Sequence, residues 1–521
     1  MDNSTRARRE RMRRRRRRVM IARAVILLVL IAALTICLVF LFRSLHPKKD
    51  KSSASGKGKS EESSVIENAE SEESAESGES EPDYANISVA EMAEAANYVS
   101  DNKEASMAKA AKLAAMYDYD TAIAVIQGYT GYADDPDCKE YIGRYTNAKA
   151  SLVPVNTDTI PHIFYHSLVN DYRGFSIEMQ GDMVAKGNNC WMTTAEEFNT
   201  INQQMYDAGC VLIKIRDIAK ETKAEDGTVT FAPNDSLLLP QGKKAVIMSE
   251  DDLSYYHSYA NQGFAAKLFI DTDGKVKNEY YDENNLKHIG SYDVPTLLED
   301  FIQAHPDFSY HNAHCMIALT GYNGVLGYRT DESYVTGHDY AGHDISSEKK
   351  AWLAEHPDFD LETERAEAKK VADAMKAQGF EFCSHTSGHM RAGSSSLETL
   401  MNDQKAFKEN VVPVVGDVDT IIFAHGEDLG DWHDYSNENE KFKFYKSEGY
   451  NYYCNVDGST PYWIQIRSNY VRTGRIDLDG YRLYQAMVGE EHSVADCNAV
   501  GIHDIETFFS KWRPTPVELT G

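Results

Sequence analysis

The eight cysteines of this 521-residue chain include no CxxC pair. Their spacing is not that of a small disulfide scaffold either. One, Cys37, lies in an apolar run, which leaves an odd seven elsewhere; buried free thiols are the alternative to any pairing. Cations are scarce beyond the N-terminus. The first 23 residues take 11 of the 54 Lys and Arg and 2 of the 81 Asp and Glu, so the remainder carries 43 against 79, a net of −36. Such a surface repels nucleic acid and anionic polymers and excludes nucleic acid as a partner. A neutral or partly cationic polymer associates more easily.

What is present at the N-terminus is an ordered series of compositions. Residues 1–23 form a basic tail, too charged and too poor in apolar surface to fold alone. Ala24 to Phe42 is a run of 19 residues without a charge, long enough to cross a bilayer as a helix. FRSLHPKKD follows it rather than a small-residue cleavage site, so the reading is an uncleaved anchor, not a signal peptide. With the arginines in front of the span, the N-terminus is expected in the cytoplasm and the bulk of the chain outside, on a single-pass membrane protein. Residues 43–83, rich in Ser, Glu, Gly and Lys, read as a disordered linker. Residues 84–152 have apolar residues at helical spacing, and AAKLAAMYDYDTAIAVIQGY resembles one tetratricopeptide-like hairpin. A module that binds a protein partner and a packing layer on the next domain both fit.

From residue 159 to 521 apolar strand-length runs alternate with helical patterns. IPHIFYHSL, VLIKIRDIA, KKAVIMSE, FAAKLFI, FEFCSH and TIIFAH read as strands; TTAEEFNTINQQMYDAG and LETERAEAKKVADAMKAQG read as helices ending in Gly. That order predicts an α/β domain with a mostly parallel sheet, open or closed into a barrel, with its site at the C-terminal ends of the strands.

Four strand ends carry chemistry: Tyr165 and His166; Ser249 to Asp252; His385 and His389; and His425, Glu427 and Asp428. The HxxxH spacing alone decides nothing, since 17 histidines in 521 residues give roughly half such a pair by chance. Adjacent carboxylates divide two jobs, one binding a cation and one acting as general base. One carboxylate and two imidazoles make a three-ligand site that leaves positions open for water and substrate. His162 and His166, four apart on one strand, read as satisfied barrel histidines; His311 and His314 carry less weight still.

The order HIFYHSL, LPQGKKAVIMSEDD, AMKAQGFEFCSHTSGHM, TIIFAHGEDLGDW and NYVRTGRIDLDGYRL resembles the polysaccharide deacetylase family (NodB homology, carbohydrate esterase family 4) over roughly residues 159 to 485. The resemblance implies a distorted (β/α) barrel. It also implies a divalent metal ion (zinc first; cobalt, nickel or manganese otherwise) and hydrolysis of N-acetyl or O-acetyl groups on a sugar polymer. MSEDD stands where the family has T-F-D-D, so Asp251 matches the base and Asp252 a metal ligand. HTSGH matches the family's H-[ST]-x-x-H, so His385 and His389 match the other ligands and Thr386 its hydroxyl residue. The expected partner is an acetylated glycan of the cell envelope, peptidoglycan foremost. A non-catalytic glycan-binding or scaffold protein on the same fold is the rival reading.

Three departures stand out. Glu250 replaces a Phe and adds a charge beside the site, unless strand alternation turns it away. FAHGEDLG occupies the place of the arginine motif that positions the base and contains no Arg. No Leu-x-His supplies a general acid; His425 and His492 stand in by default. An insertion around 271–360 holds CMIALTGYNGVLGYRTDESYVTGHDYAGHD, and its Tyr322 and Tyr328, with Trp432 further on, are expected to contact sugar rings.

Overall fold

The computed structural model describes residues 97–520. The basic tail, the expected anchor, the linker and the start of the helical segment lie outside the described residues. Among the described residues, no helix is long and apolar enough to cross a membrane.

Seven strands close a parallel barrel: β1 (His162–His166), β2 (Lys244–Asp251), β3 (Met316–Leu319), β4 (Glu381–Ser384), β5 (Thr420–Ile422), β6 (Tyr452–Val456) and β7 (Tyr470–Asp477). Each pairs in parallel with the next, and β7 pairs with β1 to complete the ring. The barrel is distorted at two places. The short strand Cys210–Leu212 takes the first half of the β2 edge that β3 takes further on. Ile464–Arg467 runs antiparallel along the start of β7.

Side-chain alternation sorts the core into two layers. Ile247, Met316, Ala318, Cys383, Ile422, Cys454 and Val471 fill the barrel. Ile163, Tyr165, Val246, Met248, Ile317, Phe382 and Ile476 face outward to the helices. Burial on both faces is why most of these strands read as unbroken apolar runs.

The helical segment comprises α1 (Lys103–Ala115), α2 (Tyr119–Gln127) and α3 (Pro136–Ala150). It packs on the barrel domain. Met116 and Tyr117 join the two core layers, the Tyr117 hydroxyl donates to the Asp307 carbonyl at 2.7 Å, and His311 N–H donates to Met116 at 2.9 Å. Outside the barrel, α4 (Ala195–Asp207) is held by a capping box between Thr194 and Glu197. Helices α5 (Val294–Ala304), α6 (Leu361–Gln378) and α7 (Leu397–Asn410) follow β2, β3 and β4. Helix α6 ends at Gly379 with φ 116°, where a Cβ would lie 2.1 Å from the Asn312 carbonyl oxygen, so only glycine fits.

Several elements differ from the sequence reading. FAAKLFI forms Ala265–Ile270, which belongs to a three-stranded antiparallel sheet outside the barrel. VLIKIRDIA is a strand only to Leu212, then turns through Ile215–Ile218 into a hairpin. Residues 271–360, read as an insertion, contain barrel strand β3. Its four residues are too short a run to stand out between Gly- and Tyr-rich loops.

Candidate metal centre

Strand β2 carries the first carboxylates to the C-terminal mouth of the barrel. Ser249 and Asp251 point inward by alternation. Asp252 has φ 63°, a left-handed turn that brings its carboxylate into the same opening. Thr386 (61°), His389 (54°) and His425 (58°) share this conformation. Non-glycine residues held there cost of order 1–3 kcal/mol each and cluster at functional sites.

His385 follows β4. Its Nδ1–H donates to the Ile422 carbonyl at 2.9 Å, which fixes the tautomer and aims Nε2 at the carboxylates. That nitrogen lies 3.9 Å from Asp251 Oδ2 and 4.0 Å from Asp252 Oδ1. His389 Nε2 lies 3.6 Å from Asp252 Oδ2. The loop between the histidines is clamped by Asp403 of α7, which accepts the N–H groups of Ser387 (2.8 Å) and Gly388 (2.7 Å). Thr386 Oγ1 accepts from Met390 N–H at 2.6 Å.

Asp252, His385 and His389 each offer one ligand atom, all within 4.8 Å of one another. The donor set fits a divalent ion. Burial raises the cost of ionising Asp252, but the His389 and His385 imidazoles outweigh it and hold the carboxyl below its usual range. Burial disfavours the protonated form of His389 and lowers its pKa. The Tyr256 hydroxyl, 2.6 Å from Asp252 Oδ1, supports the carboxylate from behind.

Asp251 is the fourth charged group. Arg475 grips it in bidentate fashion, Nη1 to Oδ1 at 2.7 Å and Nη2 to Oδ2 at 2.9 Å, with both side chains buried. Burial opposes ionisation of Asp251, yet the Arg475 charge holds it at about 2. The arginine that meets Asp251 thus lies on β7 and not in FAHGEDLG. FAHGEDLG instead places His425 with its ring 4.3 Å from that of His389, and Asp428 as partner of buried Arg472 at 2.5 Å. The signal for Arg475 was a charge at the inward register of VRTGRID, two residues after Thr473.

Glu250 points away from the centre, among the outward residues of β2, and meets Asp293 at the start of α5. His162 is the satisfied barrel histidine expected, bonded to Thr473 Oγ1 (2.8 Å) and Ser249 Oγ (3.1 Å). His166 is not. It stands in register beside Asp251 at the mouth, and its buried Nδ1 has no hydrogen-bond partner.

The aromatic residues divide. Tyr322 stacks on Tyr256 (centroids 5.0 Å, 13°) and so reaches the rim of the centre. Tyr328 does not reach it; the ring is 4% exposed in the outer core layer with Lys267 Nζ 3.8 Å from its centroid. Trp432 is 68% exposed in the segment after β5, stacked on His433. His492 lies exposed in the first turn of helix Glu491–Ala499.

No family model and no curated protein matches the chain. Among solved structures it is similar to the Streptococcus pyogenes deacetylase PplD in complex with acetate. The identity is 13% over 64% of this chain and 99% of that one, with a TM-score of 0.31. The functional assignment rests on the residues of the site rather than on this likeness.

Proposed function

We propose that this chain is a metal-dependent deacetylase of an N-acetylated envelope polysaccharide, peptidoglycan foremost. One observation carries the reading: a carboxylate, Asp251, is held ionised by Arg475 and set against a separate Asp–His–His ligand set. A pure sugar-binding protein needs neither. A divalent ion held by Asp252, His385 and His389 would supply Lewis acidity to water and to the acetyl carbonyl. Asp251 accepts the proton of the attacking water, and Arg475 fixes the direction of its lone pairs. His166 is the proton donor for the leaving amine. It adjoins Asp251 on the neighbouring strand and its ring has an unused nitrogen. His425 leans on His389 at the edge of the ligand set. Tyr322 and Trp432 offer ring faces to the polymer. An anchor at 24–42 would place the domain outside the cytoplasm, where such glycans are found.

Full-length protein loaded with Zn²⁺ or Co²⁺ is expected to release acetate from N-acetylglucosamine oligomers or peptidoglycan. Asp251→Asn should stop the release and keep the metal. Metal-loaded protein that frees no acetate from any acetylated glycan would overturn the reading.

A further inference from the structure

The loop between His385 and His389 is gripped from two sides. From one, Gly321 N–H (2.9 Å) and Tyr322 N–H (3.1 Å) donate to the Ser387 carbonyl. From the other comes Asp403 of α7, 1% exposed, whose carboxylate accepts the Ser387 and Gly388 N–H groups. Gly388 directly precedes His389, so this second grip sets where that ring stands. Burial pushes the Asp403 carboxyl up to about 6; the Gly388 and Ser387 N–H groups, then the Tyr340 hydroxyl, oppose the rise and favour the ionised form.

Tyr340 arrives from the segment read as an insertion. Residues 337–345 form a tight hairpin, closed by Asp339 N–H to the His343 carbonyl (2.8 Å) and Ile345 N–H to the Gly337 carbonyl (3.1 Å). Asp339 Oδ1 stiffens the tip by accepting Ala341 N–H (2.9 Å) and His343 N–H (2.8 Å). Tyr340 at that tip is 42% exposed, yet its hydroxyl is docked. It donates to Asp403 Oδ1 at 3.4 Å and to Met390 Sδ, the residue after His389, at 3.6 Å. Gly388 records the same contact. It is not among the left-handed glycines, so space rather than a left-handed turn accounts for it. A Cβ there would lie 2.7 Å from the Tyr340 hydroxyl oxygen and 3.2 Å from Asp403 Oδ1.

We infer that Tyr340 is a positioning residue for the metal ligand His389. The hairpin tip latches onto Asp403, and Asp403, through the Gly388 N–H, holds the ligand loop in its binding geometry. The inference rests on the ligand set of the deacetylase reading and adds a contact that no barrel strand supplies.

The test reads metal retention, not acetate release. Full-length protein is loaded with Co²⁺, and loss of the ion to excess chelator is followed by its visible absorption. Tyr340→Phe, which removes only the hydroxyl, should speed that loss about threefold, the lower range for one hydrogen bond. Asp403→Asn should speed it about 10–100-fold, as for other groups that orient a ligand from behind. Adding Tyr340→Phe to Asp403→Asn should change nothing further, because the hydroxyl acts through the carboxylate. Gly388→Ala should speed the loss more in wild type than beside Tyr340→Phe, where the oxygen its Cβ would meet is gone. Equal retention by wild type and Tyr340→Phe overturns the inference, as does a Tyr340→Phe effect that persists in full beside Asp403→Asn. If Asp403→Asn does not fold, the Gly388→Ala comparison decides, and the same penalty in both backgrounds overturns the inference. A latch effect in protein that frees no acetate upholds the role of Tyr340 and defeats the deacetylase reading; wild type that takes up no Co²⁺ sinks both.

Discussion

Two of the carboxylates buried against arginines, Glu197 and Asp251, differ in one respect. Glu197 and Arg513 lie fully buried outside the barrel, and nearly every hydrogen-bonding position is filled. Glu197 accepts from Thr194 N–H (2.8 Å), Ser510 N–H (2.8 Å) and the Arg513 guanidinium, which also donates to the Asn189 carbonyl (2.9 Å). Asp251 and Arg475 are equally buried but incomplete. Arg475 Nε has no partner, and Asp251 has His385 Nε2 beyond hydrogen-bond reach at 3.9 Å. A closed pair fixes structure; an open pair beside imidazoles whose Nε2 atoms face carboxylates is, on the proposed function, a site awaiting a reactant. Burial and charge alone do not separate the two roles, but completeness of the hydrogen bonding does.

The largest effect that would break the comparison is at Asp251. Asp251→Asn keeps the shape and removes the proton acceptor, so acetate release per folded molecule should fall by about 10²–10⁴-fold, the usual contribution of a general base. Glu197→Gln should do the opposite. Leaving Arg513 charged and buried costs about 3–5 kcal/mol of stability, seen in a denaturant titration, while release per folded molecule stays at the wild-type level. If Glu197→Gln slowed turnover as strongly as Asp251→Asn, completeness would not distinguish the pairs.

The pH response of the open pair gives a smaller and sharper test. Asp251 in the folded protein sits at about 2, below its usual 3.8. Its contribution to stability is therefore complete above 3.8 and is lost as pH falls towards 2. Arg475→Met removes the largest influence opposing burial and moves the carboxyl upward. The stability that its ionisation contributes at neutral pH shrinks, so acidification costs the variant less. The difference in unfolding midpoint between wild type and Arg475→Met should narrow as pH drops. A constant difference would mean that Asp251 is not held by the arginine charge.

The sequence made one half of this site readable and hid the other. Asp251, Asp252, His385 and His389 were legible because they follow two apolar runs of strand length and match the motifs of the family the sequence resembles. Arg475 was not legible: VRTGRID carries two arginines and an aspartate, so it does not look buried, and its partner is 224 residues away. The barrel ring that joins them exists only in three dimensions. His166 was misjudged with His162 because both share a face, yet four residues of strand separate them by ~13 Å, the distance from the packed interior to the mouth. Tyr328 was misplaced for a related reason. Local spacing does not tell a tyrosine under a lysine from one on a rim.

Glu250 offers the smallest expected effect and the finest discrimination. It adjoins Asp251 in sequence and is as deeply buried, but no arginine faces it. Burial, then the nearby Asp293 and Asp251, push its carboxyl well above the usual range, which favours the neutral form. A neutral carboxyl and an amide have nearly the same shape and hydrogen-bonding capacity. Glu250→Gln should therefore change stability by less than about 1 kcal/mol, the scale of one ordinary hydrogen bond, and leave acetate release and metal content unchanged. Gln at 250 would be harmful only if the native side chain carried a charge that the centre uses. A clear fall in release with metal still bound would thus place Glu250 in the site, and would show that strand alternation had not isolated it from Asp251.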